Sequence, residues 1–453
     1  MSSFSARGEY MKNTLNIKIT AGSLVRYSLP TIIAMLFMSL YMMTDGIFVA
    51  RLINTTALSA VNIVMPVIMI SVALGMMLAT GGSAIVARKM GEGKEEEARS
   101  NFSMLIIVTV LSGLVCSAAG LLFIDPVIRF LGAKGNVYQY CYDYAFTSLL
   151  LFPFGMFAML FQVFFITAGK AKLGMVVTMI GGIVTIALDY ICIALLDMGI
   201  TGAAVSTGVG YAVPGLIGLC YFIFNRRGSL YIVKPKMNIA DLVKSCTNGA
   251  SEMITNLSQS VITILFNNIL MKLAGEDGVA SITIILYAQG LLNAAYMGYS
   301  TGIAPVISYN FGKKDHAGLR SIYLISRNVI AVSSVAVFGI AMVFAGPLVA
   351  VFSPKGTTVY EIAVQGFRIF SFCFLFMGFS IFGSSMFTAL SNGRVSAIIS
   401  FMRTLVFVVI SVSLLPLVFN LNGVWVAIPV AEALGFLVTL YYVRKHKGTD
   451  RYA

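Results

Sequence analysis

Two stretches of the chain, GGSAIVARKMGEGKEEEAR (81–99) and TGIAPVISYNFGKKDHAGLR (301–320), align with each other at an offset of 221 residues. At this offset Gly91 falls on Gly312 and Arg99 falls on Arg320. Four further matches follow at the same offset: Pro126 with Pro347, Lys134-Gly135 with Lys355-Gly356, Thr167-Ala168 with Thr388-Ala389 and Gly202 with Gly423. A single offset that persists over this distance indicates that the chain consists of two duplicated halves.

The composition indicates a membrane protein. Of the 453 residues, 58% are hydrophobic and 11% are charged, and the mean hydropathy is +0.90. Soluble domains contain about 25% charged residues. A helix needs about 20 apolar residues to cross a bilayer, and only helices and closed barrels satisfy their backbone there. Twelve runs meet this length, at 27–50, 57–80, 102–124, 144–168, 174–196, 201–224, 247–272, 279–303, 322–346, 366–390, 395–419 and 422–443. The predicted fold class is therefore an all-α polytopic membrane protein.

The basic residues predict how the chain is oriented. If the N-terminus is cytoplasmic, 25 of the 31 Lys and Arg residues fall on the cytoplasmic side and 6 on the outer side. Basic residues favour the cytoplasmic side of bacterial membranes, so both termini are predicted to be cytoplasmic. This asymmetry also accounts for the net charge of +13, and we expect a bilayer, not a nucleic acid, to be the partner of the basic loops. The N-terminal segment has no short apolar core with a cleavage site, so the first span is predicted to remain in the protein.

The spans divide the chain into two lobes. We assign 1–26 to a cytoplasmic N-terminal segment, 27–224 to a first lobe of six spans and 225–246 to a cytoplasmic linker. A second lobe of six spans follows at 247–443, and 444–453 form a cytoplasmic tail. Each half contains an even number of spans, so both halves enter the membrane from the same side and form parallel repeats. Secondary transporters use this architecture, and we expect a binding cavity between the halves or inside one of them.

Two carboxylates in the first half are candidates for ion coupling. Asp45, in MMTDGIFVAR (42–51), lies about 27 Å along the first span and Asp189 about 22 Å along the fifth, at 1.5 Å per residue. Both spans run outward, so the two residues are predicted to lie at similar height. Asp45 could also be a structural carboxylate near a helix end. Ionisable residues within a membrane are nonetheless functional candidates, and a pair in a low-dielectric site can hold a proton, a sodium ion or a cationic ligand.

Other polar residues within the spans are candidates of a lower order. Glu252 near the start of span seven could bind an ion, or its side chain could reach the membrane interface. The role of Glu432, near the middle of span twelve, is left open. Arg403 is the main basic residue in a deep span, so the interior favours cationic or neutral ligands. Pro30 precedes Asp45 on the same helix, and a bend at Pro30 would move that carboxylate.

The chain lacks the patterns of known enzyme classes. Both histidines lie in predicted loops, no paired cysteine spacing is present, and GEGKEE (91–96) lacks the spacing of a phosphate-binding loop. We therefore expect no catalytic site, no bound metal, no cofactor and no ATPase domain. Any active transport would then depend on an ion gradient or an external partner.

Several motifs resemble those of the multidrug and toxic compound extrusion (MATE) transporters. The motifs are the paired loops at 81–99 and 301–320, the LDYICI and DMGITGAAVST stretches, and Asp45 following Pro30 in the first span. NGASEMITN and GIAPVISYNFG are similar to the bacterial branch that includes the DNA-damage-inducible and staphylococcal-type multidrug exporters. The resemblance covers 27–443 and implies twelve spans in two six-span lobes.

The resemblance also implies roles for individual residues. The acids of the first and fifth spans match Asp45 and Asp189, the sixth-span Thr matches Thr207, the fourth-span Tyr matches Tyr144, and the bend-forming proline matches Pro30.

In other places the chain departs from the family pattern. Thr185 and Gly182 stand where the family often has Asn, which weakens a sodium site in the first lobe and favours proton coupling. In the second lobe the span-seven acid of the family matches Gln259, or Glu252 in another register, and the span-ten acid falls near Ser380. The stretch ILFNNILMK, which aligns with the Asp45 region, carries Asn267 instead of an acid.

The function that this resemblance implies is secondary antiport. The chain would export small organic cations or lipophilic drugs in exchange for H⁺, or Na⁺, by alternating access of the two lobes, as a monomer in the bacterial inner membrane. The alternative is a flippase for lipid-linked precursors of the same superfamily, which would require central arginines beyond Arg403. A membrane-embedded enzyme is a third alternative, but no nucleophile–base pair or metal cluster supports it.

Overall fold

The computed structural model describes residues 15–53, 55–135 and 137–450, apart from the side chains of 45–47, 49–52, 55, 58 and 448–450. Within these residues the first half folds into α1 (Ala21–Leu52), α2 (Thr55–Gly91), α3 (Glu95–Leu122), α4 (Ile124–Phe130), α5 (Val137–Thr167), α6 (Ala171–Asp189) and α7 (Gly199–Phe224). A π-helical turn, Tyr190–Leu195, extends α6. The non-helical segment 225–238, which begins with a turn, then leads into the second half.

The second half repeats this order. It contains α8 (Ile239–Gly312), α9 (His316–Val343), α10 (Ala345–Ala350), α11 (Thr358–Phe370), α12 (Phe374–Ala389), α13 (Gly393–Phe401) and α14 (Phe407–Asp450). A short 3₁₀ turn, Ser371–Cys373, joins α11 to α12, and a π-helical turn, Met402–Val406, joins α13 to α14. Helix α8 begins eight residues before the predicted start of span seven, and α14 continues into the predicted tail.

Two of these helices each contain two membrane spans. The backbone of α8 breaks at Gly275, and that of α14 breaks at Asn420, where φ is 61° and 49° respectively. Nine segments of the described residues are long and apolar enough to cross a membrane, and one of them, Gly393–Lys447, includes the break at Asn420. With the two segments of α8 the described chain supplies twelve spans, so the predicted all-helical fold of twelve spans in two lobes is confirmed.

The backbone shows the internal repeat directly. The start of the short helix α4 (Ile124) and that of α10 (Ala345) are separated by the offset found in the sequence. Gly135 and Gly356 both adopt positive φ, 55° and 86°, as do Gly93 and Lys314, at 78° and 59°. Positive φ is rare for residues other than glycine, so these matching turns indicate that the two halves share one scaffold.

Each lobe has its own core of large aromatic side chains. In the first lobe Phe102 packs on Phe164 and on Phe222, with ring centroids 4.7 Å and 4.8 Å apart. In the second lobe Phe370 and Trp425 are fully or almost fully buried. Lipid tails are as apolar as these side chains, so the hydrophobic effect does not drive the helices together within the bilayer. Close van der Waals packing stabilises each lobe instead.

The two lobes meet at the end of the bundle where the described part of the chain begins and ends, called here the terminal end. Leu15 near the N-terminus and Val443 near the C-terminus belong to one buried cluster there, together with Ala87 of α2 and Tyr309 of α8. Ala87 is a first-lobe residue within a cluster of mainly second-lobe side chains. The lobes are therefore closed against each other at this end.

Two glycines allow the backbones of α2 and α8 to touch at the terminal end. A Cβ atom on Gly91 would lie 2.0 Å from the carbonyl oxygen of Tyr309, and one on Gly312 would lie 2.1 Å from the carbonyl oxygen of Arg88. These four residues are related by the offset of the repeat and are called here the terminal seal. At the seal, equivalent helices of the two halves cross pseudo-symmetrically. Their backbones can approach this closely only because glycine has no side chain.

An ion pair connects the lobes beside the terminal seal. The Lys89 ammonium donates a 2.8 Å hydrogen bond to Asp241, which lies in the first turn of α8 before its apolar span. The Asn101 amide donates to the same carboxylate at 3.3 Å. Burial by itself would raise the pKa of the Asp241 carboxyl, but the hydrogen bonds and the charge of Lys89 outweigh burial and lower this pKa below its ordinary value. Asp241 is therefore ionised at neutral pH.

Candidate functional site

The register of α6 against α7 determines which polar residues of the first lobe lie at one level. A Cβ atom on Gly210 would lie 1.8 Å from the Thr185 hydroxyl, and one on Gly202 would lie 3.1 Å from Cys192. These two contacts define an antiparallel pair of helices. In this register Asp189 lies level with residues 205 and 206, directly before Thr207.

Asp189 occupies an unusual position in the backbone. It is the last residue of α6, and the π-helical turn Tyr190–Leu195 begins directly after it. Its side chain is fully buried. A π-turn within an α-helix is rare and is often found at functional sites, and a buried carboxylate must be neutralised or solvated by its surroundings. Both features support the prediction that Asp189 takes part in function.

Helix α1 lies directly beside α6. A Cβ atom on Gly182 would lie 2.6 Å from the ring of Phe37 and 2.8 Å from that of Tyr41. Asp45 follows Tyr41 by about one helical turn, and Asp189 follows Gly182 by about two. The backbones therefore place both residues near the same end of this helix pair, as the sequence predicted. The side chain of Asp45 lies outside the described residues.

A small cavity of about 30 Å³ opens between α2, α5 and α7 of the first lobe. Its wall is mainly apolar, with Val67, Ile68, Val72, Leu149, Leu151, Phe152, Gly155, Ala204 and Gly208. Four hydroxyl side chains, those of Ser71, Ser148, Thr207 and Tyr211, complete the wall. Its described residues include no Lys or Arg. An apolar cavity with a few polar groups is typical of sites that bind small organic molecules.

The structure places the predicted first-lobe residues differently around this cavity. Thr207 lines it, and its buried hydroxyl makes no hydrogen bond within the described part of the chain. Thr185 does not line the cavity; its hydroxyl lies between α6 and α7, against Gly210, and donates to the Gly181 carbonyl at 3.0 Å. Tyr144 is almost fully buried in the lobe core and is not part of the wall, which instead contains Ser148 one turn further along α5.

Sequence reasoning missed the hydroxyls of α2, α3 and α5. Ser71 donates to the Phe152 carbonyl at 3.1 Å and so joins α2 to α5 at the cavity. Ser117 of α3 donates at 2.7 Å to the Leu149 carbonyl, which Pro153 leaves without its helical partner. Isolated hydroxyl residues within apolar spans, near a proline, were the available signal for these contacts.

Pro30 lies where the two lobes touch. It is buried within α1, which continues through it as a helix. The neighbouring residues Ser28 and Thr31 face Gly302 of α8, whose Cβ atom would lie 2.8 Å and 3.3 Å from their side chains. A bend at Pro30 would therefore act on the contact between the lobes as well as on the position of Asp45.

The second lobe contains a buried ion pair that the sequence did not predict. Arg403 in the π-turn donates from Nε to both carboxylate oxygens of Glu432 in α14, at 3.0 Å and 2.8 Å. Both side chains are more than nine-tenths buried. The sequence left the role of Glu432 open. The structure shows that Glu432 is the ion-pair partner of Arg403.

The remaining candidates lie along α8. Glu252 lines a second cavity, which lies between the two lobes. The side chain of Gln259 is exposed, and its backbone carbonyl accepts a hydrogen bond from the Thr263 hydroxyl. Asn267 is half-buried. At 1.5 Å per residue, Gln259 and Asn267 lie about 10 Å and 22 Å from Glu252. The structure does not bring these three polar residues together into one site.

The sequence profile of the MatE family matches this chain twice, over residues 30–191 and over residues 253–413. One match falls within each predicted lobe, and together they cover well over half of the chain.

Several proteins from staphylococci are similar to the chain over most of its length. The multidrug export protein MepA of Staphylococcus haemolyticus is 23% identical over 424 residues, which are 93% of this chain and 92% of that protein. MepA of Staphylococcus aureus is 24% identical over 439 residues, with 94% and 95% covered.

Solved structures have the same fold. An outward-facing multidrug resistance MATE transporter superimposes with a TM-score of 0.91 at 24% identity, covering 98% of this chain and 99% of that one. A MATE protein in a bent conformation superimposes with a TM-score of 0.84 at 26% identity, covering 94% and 96%.

Proposed function

Since the chain belongs to the MatE family and is a multi-pass membrane transporter of the MATE type, we propose that it exports small organic cations and lipophilic drugs by antiport. The coupling ion is a proton, with sodium as the alternative. The single observation that carries the proposal is the first-lobe cavity, whose wall combines an apolar surface with the Thr207 hydroxyl close to the level of the buried Asp189.

The chemistry of the cavity suits organic cations. Its apolar wall would bind the hydrocarbon part of a drug, and aromatic faces such as Tyr211 attract positive charge. The described wall contains no basic residue that would repel a cation or bind a phosphate. This composition favours the exporter over a lipid-precursor flippase, which needs basic side chains for its anionic substrate.

In the proposed cycle, Asp45 and Asp189 exchange a coupling ion for the drug. Loading of the two carboxylates from outside neutralises them and weakens their attraction for a cationic drug, which then leaves outward. The lobes reorient, and the ion dissociates into the cytoplasm. Burial disfavours the charged form of a carboxylate, so a bound proton or metal cation stabilises it there.

We place the terminal end in the cytoplasm, because the basic residues concentrate on the side of the termini. In this orientation the terminal seal closes the cytoplasmic side, and the described state is one closed to the cytoplasm. Export by alternating access then requires the seal to open and close in each cycle.

The test is transport of a fluorescent organic cation into proteoliposomes, with proton and sodium gradients imposed separately. We expect the wild-type chain to accumulate the dye under a proton gradient and the Asp45→Asn and Asp189→Asn variants to fold but lose this transport. Asp197→Asn is the matched control, because Asp197 is exposed in the turn after α6 and Asn also accepts its positive φ of 50°. Gradient-driven transport at the wild-type rate by Asp45→Asn would refute the proposed coupling.

A further inference from the structure

The second lobe carries a groove of about 110 Å³ at the terminal end, between α9, α12 and α14. Helix α12 packs against both α9 and α14, while these two outer helices scarcely touch each other within the described residues. The wall of the groove is mainly aromatic and aliphatic, and Arg327 is the one formally charged residue among its described residues. Leu437 and Tyr441, beside wall residues of α14, are each 57% exposed. The groove therefore opens on the surface that faces lipid.

The equivalent space in the first lobe is filled. Four wall positions of the groove correspond, at the offset of the repeat, to phenylalanines of the first lobe. They are Tyr323 with Phe102, Phe382 with Phe161, Met386 with Phe165 and Val443 with Phe222. All four phenyl rings are buried, and the ring of Phe222 lies 4.8–5.7 Å, centroid to centroid, from the other three. The first lobe thus fills with its own rings the space that the second lobe leaves open.

The first lobe also covers this space with the linker. The linker, 225–238, runs along α3, and the backbone N–H of Val233 donates to the Ser103 hydroxyl at 2.9 Å. Leu230 of the linker is almost fully buried. In the second lobe the chain continues past Val443 as helix α14. Within the described part of the chain, no comparable segment therefore covers the groove.

The arginine at the start of the equivalent helix is neutralised in the first lobe and not in the second. Arg99 forms a 2.9 Å ion pair with Glu95 and donates to the Ser229 carbonyl at 3.1 Å. At the offset of the repeat Arg320 replaces Arg99, and His316 replaces the acid. Arg320 is exposed, and no carboxylate of the described residues forms an ion pair with it.

A second arginine extends this charge into the groove. Arg320, Tyr323 and Arg327 are three and then four positions apart, so they lie on one face of α9. Arg327 lies about 10 Å further along the helix than Arg320, and Ile106 is its counterpart in the first lobe. Its guanidinium donates to the amide oxygen of Asn328 at 3.2 Å and 3.3 Å. This neutral partner leaves the positive charge of Arg327 uncompensated.

We propose that this groove binds one anionic phospholipid of the cytoplasmic leaflet. Arg320 and Arg327 hold the phosphate, and an acyl chain lies against the aromatic wall. Basic pockets between membrane helices on the cytoplasmic side bind phospholipid headgroups, and a guanidinium donates two parallel hydrogen bonds to a phosphate. The long side chain of Arg327 can extend along the groove toward the headgroup level. The lipid replaces the rings and the linker that fill and cover the first lobe.

The test is fluorescence quenching of a tryptophan in the groove of the purified full-length protein, in detergent micelles. Phe379→Trp, together with Trp425→Phe, leaves the groove tryptophan as the only one in the chain. The protein is titrated with phosphatidylglycerol or phosphatidylcholine whose acyl chains are brominated, since bromine quenches a tryptophan that it contacts. We expect saturable quenching, with a midpoint for phosphatidylglycerol at about 30-fold lower mole fraction, because each arginine favours an anionic lipid about 5-fold.

Three double variants assign the preference to the arginines. Arg320→Gln with Arg327→Gln should bring the two midpoints together, and Arg320→Lys with Arg327→Lys should retain most of the difference because both charges remain. The matched control is Arg226→Gln with Arg227→Gln, which removes the same charge from two exposed residues of the linker and should leave the preference unchanged.

A second position for the tryptophan keeps the test independent of one substitution. If Phe379→Trp does not fold, Phe436→Trp reports on the same wall, because the rings of Phe379 and Phe436 lie 5.3 Å apart.

The proposal is overturned if the two lipids quench with the same midpoint, or if the double glutamine variant retains the preference. Displacement of the lipid by soluble glycerol phosphate at constant ionic strength would assign the site to a free anion and also overturn it. So would a groove tryptophan that neither lipid quenches in a chain that elutes as a dimer, since a second copy would then cover the groove. The measurement involves no transport, so the lipid site and the proposed antiport can fail separately.

Discussion

Substitution of Gly312 by alanine should open the terminal seal. The added Cβ atom would lie 2.1 Å from the carbonyl oxygen of Arg88, whereas a carbon–oxygen contact requires about 3.3 Å. The neighbour is backbone, so no side-chain rotation can relieve the overlap, and the two helices must move apart by about 1.2 Å. Overpacking of this kind costs about 1–3 kcal/mol. The equilibrium between the closed and the open terminal end should therefore shift about 5- to 150-fold.

The pseudo-symmetry of the seal provides a second, equivalent substitution. Gly91→Ala should have an effect of the same size, because its Cβ atom would lie 2.0 Å from the carbonyl oxygen of Tyr309. Gly290→Ala is the matched control, since Gly290 lies in the same helix α8 as Gly312 and has nothing within 4 Å of the added atom. The control also corrects for the higher helix propensity of alanine, about 1 kcal/mol.

The assay is the labelling rate of a cysteine introduced at Ala87 by a hydrophilic maleimide, in a chain whose own cysteines are replaced. Ala87 is fully buried in the cluster between the lobes, so it reacts only when the lobes separate. Both seal variants should be labelled faster than the parent, and Gly290→Ala at the parental rate. Equal rates in all four proteins would refute the reasoning, as would an increase in the control alone.

Three other contacts lead to predictions. Arg403→Met should lower the free energy of unfolding by about 3–5 kcal/mol, because it leaves Glu432 buried without its partner, and Arg403→Met with Glu432→Leu should recover most of this loss in chemical denaturation. Gly210→Ala should destabilise the first lobe through the 1.8 Å contact with the Thr185 hydroxyl, and Thr185→Ala should rescue it in a double-mutant cycle of Tm values. Asp241→Asn should speed the labelling of a cysteine at position 87 by the same factor at every pH between about 5 and 8. The pKa of the Asp241 carboxyl is lowered below its ordinary value of 3.8, so its ion pair with Lys89 is intact above that value and is lost only as the pH falls below it. A labelling rate for Asp241→Asn that converges on the parental rate within this range would contradict the last prediction.

The fold could be predicted from the sequence because the bilayer restricts it severely. Only runs of about 20 apolar residues can cross, and they must be helical. The repeat then fixes two equivalent halves, and its offset reappears in the backbone at α4 and α10 and at the turns of Gly135 and Gly356. The breaks at Gly275 and Asn420 fall within the gaps that the sequence leaves between successive spans.

The level of a residue along its span could be predicted as well, because the rise per residue of a helix is constant. For this reason the sequence placed Asp45 and Asp189 at one height, and the registers of α1, α6 and α7 agree with that placement. The direction in which a side chain points could not be predicted in the same way. A span that is apolar on all sides carries no pattern that distinguishes the face toward lipid from the face toward the lobe core.

Only the tertiary structure therefore decided which polar residues meet. It placed Ser148, not Tyr144, in the wall of the first-lobe cavity, and it paired Arg403 with Glu432 across 29 residues. It also turned Glu252 into the cavity between the lobes. The sequence by itself determined the spans, their order and the depth of each polar group, since these depend on length and hydrophobicity alone. The rotation of each helix depends on packing against its neighbours, which only the assembled bundle contains.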